Sequence, residues 1–189
     1  SYCIIPYVRG NIRSKDIDVA LKEAKELVAN NHKEIVLTGI HTGSYGVGYD
    51  FDLVDLINKM STIPGLKRIR LSSVEITELN DKFMELLKNN AILCDHLHIP
   101  LQSGSEKILK LMNRKYDKAR YESIINQIRA IRPEISITTD VIVGFPGETE
   151  SDFNECLDFC KKMQYAKIHV FPYSKREGTR AASMPNQLD

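Results

Sequence analysis

The stretch ISITTDVIVG (residues 135–144), continued by FPGETESDFNECLDFCKKM (145–163) and AKIHVFPYS (166–174), decides the fold. Two runs rich in β-branched residues flank a segment opened by Thr149 and Asp152, the pair that a capping box needs. Behind that pair, Phe153, Cys156, Leu157 and Cys160 recur at helical spacing. A strand, a helix and a second strand therefore follow in order, which makes the strands parallel and the crossover right-handed.

Three earlier runs repeat the strand signal: EIVLTGI (34–40), KRIRLSS (67–73) and DHLHIPLQ (95–102). Helical stripes lie between or beside them. Ile17, Ala20, Leu21, Ala24, Leu27 and Val28 share one face of a helix over 16–30, and Tyr121, Ile124, Ile125, Ile128 and Ile131 share another, stopped before Pro133. Repeated βα units leave a doubly wound sheet or a (β/α) barrel. Eight units need about 240 residues or more, and five strands are visible in 189 residues. The expected fold is α/β, a partial (β/α)6-type TIM barrel with a parallel sheet. In such folds ligands sit at the carboxyl ends of the strands.

The length suits one domain at about 150 residues per domain, with no linker or low-complexity stretch. Charged residues make up 27% and apolar ones 42%, which excludes disorder, collagen and coiled coil as overall descriptions. Net charge is +1, so no global attraction to polyanions exists. No apolar run approaches the ~18 residues of a membrane span. Arg9 and Arg13 stand too close behind Ile4 and Ile5 for a secretory core, and the cysteines at 3, 94, 156 and 160 do not form a disulfide framework. A cytoplasmic protein that contacts no membrane is expected.

Charge is nevertheless uneven. Residues 105–132 carry a net +5, residues 134–160 a net −7 and residues 161–189 a net +4. Solvated helix faces explain such runs in general; a basic rim for phosphate is the alternative, with Lys175, Arg176 and Arg180 foremost because they follow a strand end.

The strand ends read LTGIHTGSYG, LSSVE, HIPLQSGS, TTDVIVGFPGE and HVFPYSKREGT. Period two puts Leu97, Ile99 and Leu101 on one side of a strand and His96, His98 and Gln102 on the other, while Ser136, Thr138 and Asp140 share a face of another strand. His96 and His98 with His41, Glu75 or Asp140 allow a zinc or iron site; hydrogen-bonded histidines in a polar lumen are the simpler alternative. Cys156, Cys160 and Cys94 lie among apolar neighbours and behave as small hydrophobes. Cys3, in SYCIIPYVRG, has Tyr2 ahead of it and a basic, glycine-containing loop behind, and no helix is recognisable before it.

SYCIIPYVRG resembles the tail of the CxxxCxxC motif of the radical S-adenosylmethionine methylthiotransferases. EIVLTGIHTGSYG, LSSVEI, HLHIPLQSGSEKILKLMNRKY, TTDVIVGFPGETESDF and HVFPYSKREGT resemble that family at matching intervals, over essentially the whole chain. LTGIHTG, HIPLQSGS and FPYSKREGT are most similar to the branch that methylthiolates C2 of N6-threonylcarbamoyladenosine beside the tRNA anticodon.

The resemblance implies a [4Fe–4S] cluster held by three cysteines, which binds S-adenosylmethionine at its open iron and cleaves it to a 5′-deoxyadenosyl radical. It implies a second, auxiliary cluster in the full-length enzyme, tRNA as substrate and an electron donor protein. Carried over, Cys3 is the third cluster ligand and Tyr2 the aromatic residue over the adenine. Gly39 and Thr42 meet the methionyl amino group. Ser73, Glu75, Gln102 and Ser103 offer hydrogen bonds to ribose and amino acid, and Arg114 pairs with the carboxylate. The strand Asp140 to Gly144 backs the adenine, and Phe171 and Tyr173 are the last strand-end contacts. The motif places two further cysteines ahead of Ser1, and the family has a first barrel strand, an auxiliary-cluster domain and an RNA-binding domain outside residues 1–189. The chain is thus expected to be a radical S-adenosylmethionine core lacking its first strand, and inactive alone. A metal-dependent barrel hydrolase or aldolase using His96, His98 and Asp140, and a fragment that only docks RNA through 105–132 and 161–180, are the rival readings.

Overall fold

A computed structural model describes residues 1–188. Seven helices and five strands alternate in it: α1 (Ile5–Arg9), α2 (Ile17–Ala29), β1 (Glu34–Leu37), α3 (Leu53–Ser61), β2 (Arg68–Leu71), α4 (Asp81–Asn89), β3 (His96–His98), α5 (Glu106–Met112), α6 (Lys118–Ile131), β4 (Ser136–Val143), α7 (Glu150–Met163) and β5 (Lys167–Pro172). The five strand runs all form, each shorter than its apolar signal. The residues gather into two compact units.

The first unit comprises Ser1–Asn11, Ile99–Ile125 and Ile137–Asp189. Strand β4 pairs in parallel with β5, Thr138 opposite Lys167 through Val143 opposite Pro172. Along the other edge of β4 runs the segment Ile99 to Gln102, the Ile99 N–H donating to the Thr138 carbonyl (2.9 Å) and the Gln102 N–H to that of Asp140 (2.8 Å). Pro100 has no N–H to donate there, and side chains complete the pairing. Buried Thr139 accepts from the Leu101 N–H and donates to the Ile99 carbonyl, both at 2.8 Å. Tyr121 donates to Ile99 O at 2.8 Å and Tyr116 to Leu101 O at 2.9 Å. Thr139→Val keeps the shape and strands the Leu101 N–H. It is expected to cost about 1–3 kcal/mol in urea unfolding, the penalty of an unsatisfied buried donor.

The pleat is as the alternation requires: Ile137, Thr139 and Val141 are buried, and Thr138 and Asp140 are half-buried. Helix α7 opens on the capping box foreseen for Thr149 and Asp152. Its buried face differs, however. Asp152, Cys156, Phe159, Cys160 and Met163 face in, whereas Phe153 and Leu157 are 44% and 41% exposed. Two contacts set this rotation. Ser105 and Lys107 draw the Asp152 carboxylate inward, at 3.0 and 2.7 Å, and Gly104 lies so close to α7 that a Cβ there would stand 2.8 Å from Cys156 Cα.

The second unit comprises Ile12–His98 and Asn126–Ser136. Strands β1 and β2 pair in parallel, Glu34 opposite Arg68 and Leu37 opposite Leu71, so their carboxyl ends lie side by side. Ile69 pairs in turn with Leu93, ahead of β3, and Val74 N–H donates to the His98 carbonyl at 3.0 Å. Helices α3 and α4 pack against each other and bury Ile57, Met60, Phe83 and Leu87. Each starts on a side-chain cap, Asp52 with Asp55 on α3 and Asn80 on α4. Helix α1, which the sequence did not announce, tolerates Pro6 in its first turn and stops at Gly10, where φ is +71°.

Candidate functional site

In the first unit, Gln102 and Arg114 meet at Tyr2. The Tyr2 hydroxyl donates to Gln102 Oε1 at 2.9 Å and accepts from Arg114 Nη2. The Arg114 guanidinium also lies 5.6 Å from the Tyr2 ring centre. The Tyr2 ring meets Phe145 edge to face at 5.9 Å, and Phe145 meets Tyr173 at 5.3 Å. Ile108, Met112 and Ala181 complete the apolar floor under these rings. Tyr2 is thereby fixed at both ends, and Cys3 beside it is an exposed free thiol.

Gln102 adopts φ +68°, a conformation unusual for a residue with a side chain, while its own N–H and C=O stay bonded to β4. Such an outlier is tolerated where surrounding contacts over-determine it. The geometry of Ser103 differs from that of its neighbour. It is fully buried, and its hydroxyl accepts from the Ser105 N–H at 3.1 Å, so it serves the turn itself. Asp140 is half-buried on β4. Past the strand end, Gly144 (φ +73°) and Gly147 (φ +83°) make the bend that TTDVIVGFPGE encodes, and the Glu148 carboxylate closes it on the Gly144 N–H. Burial raises the Glu148 carboxyl above the usual carboxylate range, although the Gly144 and Phe145 N–H groups favour its charge. Phe171 is exposed, and the buried Tyr173 hydroxyl has no hydrogen-bond partner among the described residues.

In the second unit, the ends of β1 and β2 carry Gly39, Thr42, Ser73 and Glu75. Buried Thr42 places its hydroxyl 3.1 Å from that of Ser72. Gly39 has an ordinary backbone, and a Cβ there would meet Thr42 Oγ1 at 3.4 Å, a tolerable contact. The organiser of these loops is Glu78, which sequence reasoning missed. Its carboxylate accepts from the Ser44 hydroxyl at 2.5 Å and from the Glu75 N–H at 2.9 Å, in the space that Gly43 leaves open. The spacing of Glu75 and Glu78, which allows a reciprocal cap, was the available signal. His96 and His98 are half-buried in the same unit. Desolvation, with Arg70 and His98 nearby, lowers the His96 pKa.

The model of the radical SAM superfamily matches residues 1–160. The chain belongs to the radical SAM superfamily. Among curated relatives, the threonylcarbamoyladenosine tRNA methylthiotransferase MtaB of Bacillus subtilis is 46% identical over all of this chain and 42% of its own length. The tRNA-2-methylthio-N(6)-dimethylallyladenosine synthase of Thermoanaerobacter sp. is 44% identical over all of this chain and 41% of its own length. This chain thus spans about two fifths of these relatives. Among solved structures, coproporphyrinogen III oxidase (HemN) from Escherichia coli, a radical SAM enzyme, aligns with TM-score 0.62 at 17% identity, covering 88% of this chain and 39% of that one. The cobalamin-dependent S-adenosylmethionine radical enzyme OxsB aligns with TM-score 0.63 at 12% identity, over 88% of this chain and 25% of that one. These likenesses place the α/β architecture with parallel strands in the radical SAM fold.

Membership implies S-adenosylmethionine and a four-iron four-sulfur cluster. Among the described residues no group of three His, Cys, Asp or Glu side chains is placed to hold a metal. Cys3 offers one soft thiolate, and one thiolate does not hold an iron cube, so these residues alone do not fit the cluster. Nothing among the described residues supports the metal site built on His96 and His98 with His41, Glu75 or Asp140, and the superfamily match gives the hydrolase reading no support. Fit to S-adenosylmethionine is better. The orphaned Tyr173 hydroxyl lacks a partner that a polar ligand would supply, and Gly39 is small where its own fold does not demand it.

Proposed function

We propose that this chain is the radical SAM core of a tRNA-modifying enzyme that methylthiolates C2 of N6-threonylcarbamoyladenosine next to the anticodon. The observation that carries the reading is the 46% identity to a threonylcarbamoyladenosine tRNA methylthiotransferase along the entire chain, with a second such relative, from Thermotoga maritima, at 42%. The dimethylallyladenosine branch, at 44%, supports a second reading that differs in the N6 substituent. The whole protein would work in the cytoplasm, use two clusters in all and take its electron from a donor protein.

S-adenosylmethionine, when bound, supplies both the adenosyl group for radical chemistry and the methyl group. The chain's own residues bind and orient it. In the first unit, Tyr2, Gln102 and Arg114 form a hydrogen-bonded set that holds Cys3's neighbour in place, and the Arg114 fork suits a carboxylate. Ser103 acts by shaping the turn under Gln102. Asp140, Gly144, Phe171 and Tyr173 contribute polar and aromatic surface from the ends of β4 and β5. In the second unit, Gly39 and Thr42 suit close backbone approach to an amino group, and Ser73 and Glu75 supply acceptors.

Two experiments follow. Gly39→Ala in the full-length enzyme is expected to leave the melting temperature unchanged and to weaken S-adenosylmethionine binding about tenfold or more by calorimetry, since the added methyl finds room in the fold but occupies the ligand's approach. Anaerobic incubation of full-length enzyme with stem-loop RNAs bearing either N6 group tests the branch. Methylthiolated product on the threonylcarbamoyl RNA is the expected result. Product on the dimethylallyl RNA alone would transfer the assignment to that branch, and absence of both product and 5′-deoxyadenosine would refute it.

A further inference from the structure

The acidic run of 134–160 answers part of both basic regions, Lys161 lying 3.6 Å from Asp158. Lys107 pairs with Asp152 at 2.7 Å and Lys118 with Glu155, while Lys162 reaches Glu122 at 2.7 Å. Those cations are spent within the first unit. After β5 the situation differs. Lys175, Arg176 and Arg180 are exposed, and among the described residues none of the three has a carboxylate within ion-pair distance.

These residues belong to a built turn. The buried Thr179 donates to the Arg176 carbonyl at 2.7 Å and accepts from the Ala182 N–H at 3.3 Å, and Gly178 bends the chain at φ +80°. The turn walls an open groove of about 680 Å3, with Lys175, Arg180 and Ser183 on one side and Tyr7 on the other. Glu177 is the single acid in the lining. The opposite wall is the segment that carries Cys3: Ala181 N–H donates to the Ser1 carbonyl at 2.9 Å, and a Cβ at Gly178 would touch Ile4 Cδ1 at 3.7 Å. Tyr7 is 70% exposed there.

We propose that this groove is an RNA-backbone site, taking phosphodiester groups of the nucleotides that flank the modified base on Lys175 and Arg180 and a stacked base on Tyr7. The proposal deepens the tRNA reading and rests on it. An open wall with unspent cations suits a polyanion that passes through, whereas a small anion would need an enclosed pocket. An exposed aromatic ring facing cations across a groove is a usual platform for single-stranded nucleotides. With a net charge of +1, attraction to a polyanion has to come from local basic patches, and this groove carries one.

The test uses full-length enzyme and a fluorescent anticodon stem-loop RNA, titrated by anisotropy across a series of salt concentrations. The variant carrying Lys175→Gln and Arg180→Gln is expected to bind about tenfold more weakly, with the slope of log K against log salt reduced by about 1 to 2, the signature of lost phosphate contacts. Lys175→Gln alone, on an exposed side chain, should show about half that slope change with an unchanged melting temperature, and Lys175→Arg should restore it. Lys162→Gln, whose cation is already paired, should leave binding as in the wild type. Wild-type RNA binding with the same salt slope in the double variant overturns the groove and leaves the tRNA reading standing. A wild-type enzyme that binds no RNA overturns both.

Discussion

Cys3→Ala in the full-length enzyme is expected to abolish the iron–sulfur chromophore near Cys3 and all 5′-deoxyadenosine formation, while the melting temperature of the cluster-free variant stays near that of the cluster-free wild type. The two halves of this expectation have different sources. The loss follows from the proposal that Cys3 is one of three thiolate ligands of the cluster, since removing one soft anionic donor leaves the cluster incompletely held. The preserved stability comes from geometry. Cys3 is exposed, unbridged and outside the apolar floor formed by Ile108, Met112, Phe145 and Ala181. Tyr2 keeps its bonds to Gln102 and Arg114 without it. An iron assay, the thiolate-to-iron absorption and a thermal melt on one preparation check all of this. Retention of 5′-deoxyadenosine formation in the variant would remove Cys3 from the cluster.

Asp152→Ala is expected to produce the largest purely structural effect, about 3 kcal/mol of lost stability, or a drop in melting temperature of roughly 6–12 °C. One carboxylate caps α7 through the Thr149 N–H (2.9 Å) and hydroxyl (2.6 Å), anchors the HIPLQSGS loop through Ser105 at 3.0 Å and holds Lys107 at 2.7 Å. Burial works against its charge, but the hydrogen bonds from Lys107, Thr149 and Ser105 outweigh it and hold the carboxyl well below the usual range. A depressed folded pKa stabilises above the unfolded value of about 3.9 and ceases to do so as pH falls through the folded value. The difference between wild type and Asp152→Asn is therefore constant above about pH 5 and shrinks below about pH 4. Urea melts at several pH values read it directly, and a difference that widened on acidification would contradict the assignment.

The strands were legible because each is an apolar run that its flanking polar ends delimit, and the alternation along ISITTDVIVG translated into the observed burial of Ile137, Thr139 and Val141. The cap of α7 was legible because it is a local exchange of hydrogen bonds. The buried face of α7 was not, since Phe153 and Leu157 are as apolar as Phe159 and Met163, and the choice between them is made by Gly104 and Ser105, which lie some fifty residues away. Helix α1 escaped notice because five residues are too few to show a period. At the site, motif resemblance located strand ends but not bonds. It assigned Arg114 to a cofactor carboxylate without revealing that the guanidinium meets Tyr2, and it passed over Glu78, whose work is to hold Ser44 and the Glu75 N–H. Partners that are distant in sequence carry no local signature.

The most direct measurement is mass spectrometry of tRNA nucleosides from cells lacking the full-length gene, complemented with the wild type or with Cys3→Ala. Loss of 2-methylthio-N6-threonylcarbamoyladenosine, accumulation of its unmethylthiolated parent, and rescue by the wild type alone are the results this account predicts. An unchanged level of that nucleoside in the deleted cells, or full rescue by Cys3→Ala, would contradict it.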